Sequence, residues 1–168
     1  MDPVCPFAER VWITIEEKEL EHKLRQVKFR EREPYFVEMY QKAIGRDPNV
    51  AAKAPILIDG ELVLAESDLV AYYLDDQYKT GTKLTPDDSL EKFKMREFIK
   101  YFNKILIDFY GFKHLLTKPK PEIEAHYKKS AEDLTELNDR LALPYALGSN
   151  FTFADIMFYP ILARWPVV

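Results

Sequence analysis

Apolar residues recur at helical spacing close to the start of the chain, directly behind a proline. Val11, Trp12 and Ile15 are expected on one face of such a helix, and Pro6 stands at the first helical position, where a missing backbone N–H costs nothing. The pattern predicts a helix from Pro6 to about Lys18. Cys5, the residue before it, then lies at the helix end whose backbone N–H groups have no partner.

The next part of the chain combines short strand-like runs with a helical one. Residues 24–29 are rich enough in strand-forming residues to predict a strand, although their alternation does not identify a buried face. Pro34 can open a second helix that continues to about Ile44. Residues 54–58 and 61–64 are apolar runs separated by Asp-Gly, which is typical of the tight turn between antiparallel strands.

A change in composition predicts two domains. A helix around residues 69–74 completes an α/β domain over residues 1–77, and the polar segment 78–87 is the predicted linker. Residues 88–168 are predicted to be all-helical, because their apolar residues recur only at helical spacing. Two of these stripes are expected to form the helix–helix core: Phe98, Phe102, Ile105, Leu106 and Phe109, and Tyr127, Leu134, Leu137 and Leu141.

The last predicted helix has a recognisable start. Thr152 can cap its first turn, and the carboxylate of Asp155 can reach back to the backbone of Thr152. Phe151, just outside the helix, can pack on Ile156. These residues predict a capping box with a hydrophobic staple.

Composition and charge exclude several functions. The 168 residues carry 24 Lys and Arg against 28 Asp and Glu without a basic block, so no nucleic-acid partner is expected. No signal peptide begins the chain and no apolar run approaches the ~20 residues of a membrane span, so we expect a cytoplasmic protein. His22, His114 and His126 lack the spacing of metal ligands, and no phosphate-binding glycine loop is present.

Cys5 is the chain's only cysteine, so it cannot form an internal disulfide. At the start of a helix, unpaired N–H groups and the positive end of the helix dipole favour thiolate over thiol. The thiolate is the form that attacks disulfides and electrophiles. The alternative is a small buried apolar residue without a chemical role.

Five short motifs then follow one another along the chain. They are Cys5-Pro6-Phe7, Ala54-Pro55-Ile56-Leu57, Glu66-Ser67 before a helix, Leu84-Thr85-Pro86-Asp87-Asp88, and Thr152-Phe153-Ala154-Asp155. In this order and spacing they resemble a cytosolic glutathione transferase. Because a Cys stands where other classes have Tyr or Ser, the chain is similar to the omega, dehydroascorbate-reductase and thiol-dependent-reductase branch.

The resemblance implies a fold and a set of site residues. The fold would be a thioredoxin-like α/β domain whose first strand is missing, followed by a truncated all-α domain. Cys5 would be the catalytic nucleophile that forms a mixed disulfide with glutathione, and Pro55 would be a cis-proline. The implied glutathione-binding residues are Pro6, Phe7, Ala54, Pro55, Glu66 and Ser67.

Each group of the implied site has chemistry that suits glutathione. The backbone of Ala54 would pair with the cysteinyl unit of the tripeptide. The γ-glutamyl end is a zwitterion, so Glu66 can bind its ammonium while the hydroxyl of Ser67 and helix N–H groups take its carboxylate. Considered without the family, Ser67 is simply a helix cap.

The sequence departs from the family pattern in three ways. Only four residues precede Cys5, and the chain stops where the family has further helices, which suggests truncation at both ends. Glu33 stands where the omega pattern has a Lys that binds the glycyl carboxylate of glutathione. Arg30 or Arg32 could substitute for that Lys, or the thiol could be a glutathione whose glycyl end is conjugated to a polyamine.

The predicted function is glutathione-dependent thiol transfer and reduction, such as deglutathionylation or dehydroascorbate-type reduction. Ala8 occupies the position of the second Cys of a dithiol enzyme, so the cycle would be monothiol. Glutathionylated or electrophilic substrates and a homodimer are the expected partners. The alternatives are a non-catalytic interaction module of the same fold and a protein resembling chloride intracellular channels.

Overall fold

The computed structural model describes residues 5–28, 31–45, 47, 49–110 and 117–164, with the backbone alone for 106–110. Contacts divide these residues into two compact units. The first comprises the described residues up to Lys83 together with those from Pro160 onward, and the second comprises Leu84–Tyr159. The predicted domain limits at residues 77 and 88 stay a prediction.

Three helices and a hairpin form most of the first unit. They are α1 (Pro6–Glu17), α2 (Pro34–Ala43), β1 (Ile56–Asp59), β2 (Leu62–Ala65) and α3 (Ser67–Gln77). Both early helices begin at a proline, as predicted, because proline is compatible with the first helical position. The helix–helix–hairpin–helix order follows from these local signals.

The hairpin is confirmed, and its turn lies one residue later than Asp-Gly suggested. Asp59 is itself paired with Leu62, which leaves Gly60 and Glu61 as the two-residue loop. Gly60 has φ +59° at the first loop position, where two-residue type II′ turns have glycine.

The hairpin separates two apolar clusters. Alternate strand residues point to opposite faces, so Leu57 and Leu64 pack with α1 and α3, while Ile56 and Ala65 pack with α2. The buried members are Val11, Ile15, Val70 and Leu74 on the first side, and Phe36, Tyr40 and Ala52 on the second. The prediction that Trp12 shares this apolar face was wrong, because its side chain is 39% exposed, whereas Val11 and Ile15 are buried.

The strand predicted at residues 24–29 was wrong for its described part. Residues 24–28 are not in a strand, and Phe29 lies outside the described residues. A strand needs a neighbour for its backbone groups, and in the described chain the sheet consists of β1 and β2 alone. Composition favoured a strand, but pairing decides whether one forms.

The far end of α1 is fixed by a buried polar network. The ammonium of Lys18 donates to the carboxylate of Asp75 and to the carbonyl of Thr82, each at 3.0 Å. The hydroxyl of Thr80 donates to the carbonyl of Lys18 at 2.6 Å, and the N–H of Thr82 donates to the carbonyl of Glu17 at 2.7 Å. Lys18 and Asp75 are both buried.

Helices α4 (Ser89–Tyr110) and α5 (Lys120–Arg140) form most of the second unit, with the first part of α6 (Phe153–Leu162). Phe98, Phe102, Ile105 and Leu137 are buried as predicted. The prediction that Tyr127 belongs to the core was wrong, since its side chain is 46% exposed on α5. Leu106 and Phe109 belong to the part of α4 that is described by its backbone alone.

The capping box at the start of α6 is confirmed. The N–H of Thr152 donates to the carboxylate of Asp155 at 2.9 Å, and the N–H of Ala154 donates to the Thr152 hydroxyl at 3.2 Å. The other carboxylate oxygen of Asp155 accepts the N–H of Ala146 at 2.7 Å. One buried carboxylate thus binds both the helix start and the preceding loop.

Candidate functional site

Cys5 is the residue that precedes the first turn of α1, as predicted. Its backbone is extended (φ −62°, ψ 124°), and its carbonyl accepts the N–H of Glu9 at 2.9 Å. The side chain is half-buried and makes no capping hydrogen bond within the described chain. The thiol therefore stands beside helix N–H groups that no capping side chain occupies.

A pocket of about 180 Å³ opens beside this thiol. Its walls are mainly apolar and come from three stretches that are far apart in the sequence. Two cationic side chains, Arg32 and Lys53, stand among them. The lining residues are Cys5, Phe7, Val27, Arg32, Phe36, Lys53 and Ala54.

Ala54 and Pro55 connect the pocket to the hairpin. The Ala54–Pro55 peptide bond is cis, as the resemblance implied. The Sγ atom of Cys5 lies 4.0 Å from the carbonyl oxygen of Ala54. The ladder of β1 and β2 ends at the pair Ile56 and Ala65, so Ala54 lies outside it.

Glu66 and Ser67 occupy the start of α3. Glu66 is exposed and has φ +70°, and Ser67 is the first helical residue and is buried. The alternative that Ser67 is the capping residue was wrong, because the helix begins at Ser67 and Glu66 takes the cap position without a side-chain capping bond to a described residue.

The phenol of Tyr40 is affected by the charges of both Glu66 and a pocket residue, Arg32. Burial raises the pKa of Tyr40, the charge of Glu66 raises it further, and the charge of Arg32 lowers it. Glu66 and the pocket residue Arg32 therefore act on the same buried group on α2. Their charges have opposite signs, so their effects on this phenol oppose each other.

The pocket brings together three of the predicted site residues, namely Cys5, Phe7 and Ala54. Of the remaining four, two are next to lining residues in the sequence and two lie outside the lining. Pro6 and Pro55 adjoin lining residues in the chain, whereas Glu66 and Ser67 stand at the start of α3 and are not lining residues.

Four lining residues were not among the predicted binding residues. Val27, Phe36 and Lys53 had no signal in the sequence that marked them, since apolar and charged residues of these types occur throughout the chain. Arg32 was one of two proposed substitutes for the Lys of the omega pattern, and it lines the pocket. Arg30, the other, lies outside the described residues.

Glu33 is engaged away from the pocket. Its carboxylate forms an ion pair with Arg25, whose guanidinium also lies 4.7 Å from the centre of the Tyr35 ring. The negative charge that departs from the omega pattern is therefore balanced by a neighbouring cation.

Within the described residues, no three His, Cys, Asp or Glu side chains are grouped to hold a metal.

Comparison with known proteins places this architecture in a family. Residues 2–82 match the family model described as glutathione S-transferase, N-terminal domain, and residues 120–165 match the glutathione S-transferase, C-terminal domain. The chain belongs to the glutathione S-transferase family. The thioredoxin-like first domain and the helical second domain predicted from the sequence are thereby confirmed.

Individual relatives include the classes that the motifs suggested. The chain is 26% identical to glutathione S-transferase DHAR2 of Arabidopsis thaliana over 94% of its own length and 65% of the relative's. It is 27% identical to glutathione S-transferase omega-1 of Sus scrofa over 95% of the chain and 63% of the relative. The chain thus spans slightly less than two thirds of the length of these relatives.

Solved structures agree on the fold. Glutathione transferase Omega 3C from Trametes versicolor superposes with a TM-score of 0.79 at 23% identity, over 95% of this chain and 65% of that one. None of the helices in the described part of the chain is long and apolar enough to cross a membrane.

Proposed function

We propose that the protein is a glutathione-dependent thiol transferase and reductase in which Cys5 is the nucleophile. The observation that carries the proposal is the position of Cys5, which lies at the uncapped start of α1 and lines a pocket with Ala54. Its substrates would be small glutathionylated or oxidised molecules. Deglutathionylation and dehydroascorbate-type reduction fit this chemistry, and the DHAR relatives support it at the level of the family.

Glutathione would occupy the pocket beside α1 and extend beyond its lining to the start of α3. In this arrangement Pro6 and Phe7 shape the wall beside the sulfur, and the backbone of Ala54, held by Pro55, pairs with the cysteinyl unit. Glu66 would bind the γ-glutamyl ammonium, and Ser67 with the N–H groups of α3 would bind its carboxylate. The exposed position of Glu66 and the helix start at Ser67 support these roles.

The charges of the pocket favour unmodified glutathione over a polyamine conjugate. Arg32 and Lys53 are cations in the lining, and Glu33, the departure that suggested a conjugate, is paired with Arg25. A free glycyl carboxylate would be attracted by both cations. A polyamine tail carries positive charges and would be repelled by them.

The cycle would be monothiol, because Ala8 replaces the second cysteine of a dithiol enzyme and Cys5 is the only thiol. The Cys5 thiolate attacks the glutathionyl sulfur of a mixed disulfide, and the substrate leaves as a thiolate that takes up a proton. A second glutathione, as thiolate, then attacks the glutathionyl sulfur on Cys5. This step releases glutathione disulfide and regenerates the Cys5 thiolate.

The location and assembly of the whole protein are part of the proposal. We propose a cytoplasmic protein that acts on small thiols and their disulfides, as a homodimer of the kind typical of its family. Neither a metal nor a nucleic acid takes part in the proposed reaction.

Turnover of a glutathionylated peptide tests the proposal. The 168-residue chain should release the peptide thiol at a rate proportional to enzyme, and Cys5→Ser should reduce the rate to that of buffer with glutathione. Lys100→Gln, at an exposed position on α4, is the matched control and should keep the wild-type rate. Equal rates for wild type and Cys5→Ser in folded protein would favour a non-catalytic interaction module.

A further inference from the structure

A carboxylate lies one helical turn from Cys5. Glu9 stands four positions along α1, and its backbone N–H donates to the carbonyl of Cys5 at 2.9 Å. Residues four apart on a helix are neighbours, and helical side chains lean toward the N-terminus. The negative charge of Glu9 therefore lies at the same end of the helix as the thiol, where an unbalanced carboxylate would oppose a thiolate.

The guanidinium of Arg164 balances this carboxylate. Its Nη2 lies 2.5 Å from Oε2 of Glu9, as an ion pair rather than an aligned hydrogen bond. The Nη1 group of Arg164 donates to the carbonyl of Pro160 at 2.5 Å, and its backbone N–H donates to the carbonyl of Ile161 at 3.1 Å. Arg164 thus contacts the last turn of α6 as well as Glu9.

We propose that Arg164 is a positioning residue for Cys5, which neutralises Glu9 so that the thiolate is the unbalanced anion at the start of α1. The proposal rests on the proposed function only in assigning chemistry to Cys5. Both members of the pair belong to the first compact unit. The side chains of Glu9 and Arg164 are 22% and 32% exposed, so solvent screens their charges only in part.

Other charges near the thiol differ from this pair in their contacts. Arg10, the next residue along α1, is buried, and its guanidinium lies 5.0 Å from the centre of the Phe7 ring. Arg32 and Lys53 line the pocket itself and are available to a ligand. Among the charged groups described here, Glu9 is the carboxylate of the first turn, and Arg164 is the cation paired with it.

Alkylation of Cys5 by iodoacetamide at fixed neutral pH tests this role without glutathione. Arg164→Met keeps the side-chain stem and removes the charge, and it should slow alkylation by about 3- to 10-fold. Arg164→Lys should keep a rate near that of wild type. The double variant Glu9→Gln/Arg164→Met should recover the wild-type rate, because it removes the carboxylate together with its counter-charge.

The double variant separates electrostatics from packing. If Arg164 only tied the end of α6 to α1, the single and double variants would be equally slow, and this result would overturn the proposal, as would a wild-type rate in Arg164→Met. Should Arg164→Met fail to fold, Glu9→Gln alone decides: a rate above wild type, expected because Arg164 then becomes an unbalanced cation at this end of α1, supports the proposal, and a rate equal to or below wild type contradicts it. Glutathione turnover is measured separately, so loss of the proposed function does not affect this comparison.

Discussion

Two helices of this protein begin in opposite ways. At the start of α6, Thr152 and Asp155 occupy the first N–H groups with their own side chains, and Asp155 also binds a neighbouring loop. At the start of α1, Cys5 makes no capping hydrogen bond within the described chain and lines a pocket. A helix start with its N–H groups satisfied stabilises a fold, whereas one left open can bind an anion or favour a thiolate.

Helix α1 does not need a capping side chain at its start, because other contacts stabilise it. Its apolar face packs with α3 and the hairpin, and its last turn is fixed by Lys18 and Asp75. The stabilising contacts therefore lie away from the reactive end. This separation can be tested by removing contacts at each position in turn.

The largest effect is expected at the far end of α1. Lys18→Met leaves Asp75 buried without its cation, which should lower the free energy of unfolding by about 3–5 kcal/mol in urea titration. The double variant Lys18→Met/Asp75→Leu should recover a substantial part of this loss, since it buries no unpaired charge. An unchanged midpoint in Lys18→Met would show that the pair does not hold the helix.

The closed start of α6 should give the next largest effect. Asp155→Ala removes the acceptor of two buried N–H groups and should destabilise the chain by about 2 kcal/mol. Alkylation of Cys5 in the folded fraction should stay at the wild-type rate. Thr135→Ala, an exposed mid-helix change on α5, serves as the control. Loss of thiol reactivity in folded Asp155→Ala would contradict the separation of the two helix starts.

Charges in the pocket should affect binding more than stability. Arg32→Gln and Lys53→Gln should each raise the KM for glutathione by about 5- to 10-fold, because each removes a cation that can meet the glycyl carboxylate. Their unfolding midpoints should stay close to wild type. A KM that is unchanged in both variants would require the glycyl end to lie elsewhere, whereas Lys100→Gln should leave KM unaltered.

The smallest effect is a gain in stability at Cys5 itself. Serine is a better capping residue than cysteine and can accept an N–H bond in the first turn of α1, so Cys5→Ser should stabilise the chain by about 0.5 kcal/mol. The same variant should lose all turnover. A clear decrease in unfolding free energy would show that the thiol contributes packing that the open start of α1 does not suggest.

Local signals predicted much of the fold. Pro6 and Pro34 located the starts of two helices, and Thr152 with Asp155 located a third, because each acts on backbone groups within a few residues. The strand predicted at residues 24–29 failed because a strand depends on a partner elsewhere in the chain. The prediction that Tyr127 is buried also failed, since helical spacing does not show whether another helix covers a given face.

The candidate site was predictable only as far as motifs describe it. Cys5, Ala54 and Pro55 belong to short motifs of the family, and their neighbourhood follows from them. Arg32 and Lys53 are 21 positions apart, and only the tertiary fold brings them to the same pocket. The ion pair of Glu9 and Arg164 joins the two ends of the chain, and periodicity carries no information about such a contact.

Intact mass of the protein after treatment with glutathione disulfide tests the central claim most directly. We expect one glutathionyl group per folded chain, located on Cys5 by peptide mapping, absent in Cys5→Ser, and released when reduced glutathione is added. A folded wild-type chain that acquires no adduct under conditions where free cysteine does, or an adduct that added glutathione does not release, would contradict a catalytic role for Cys5.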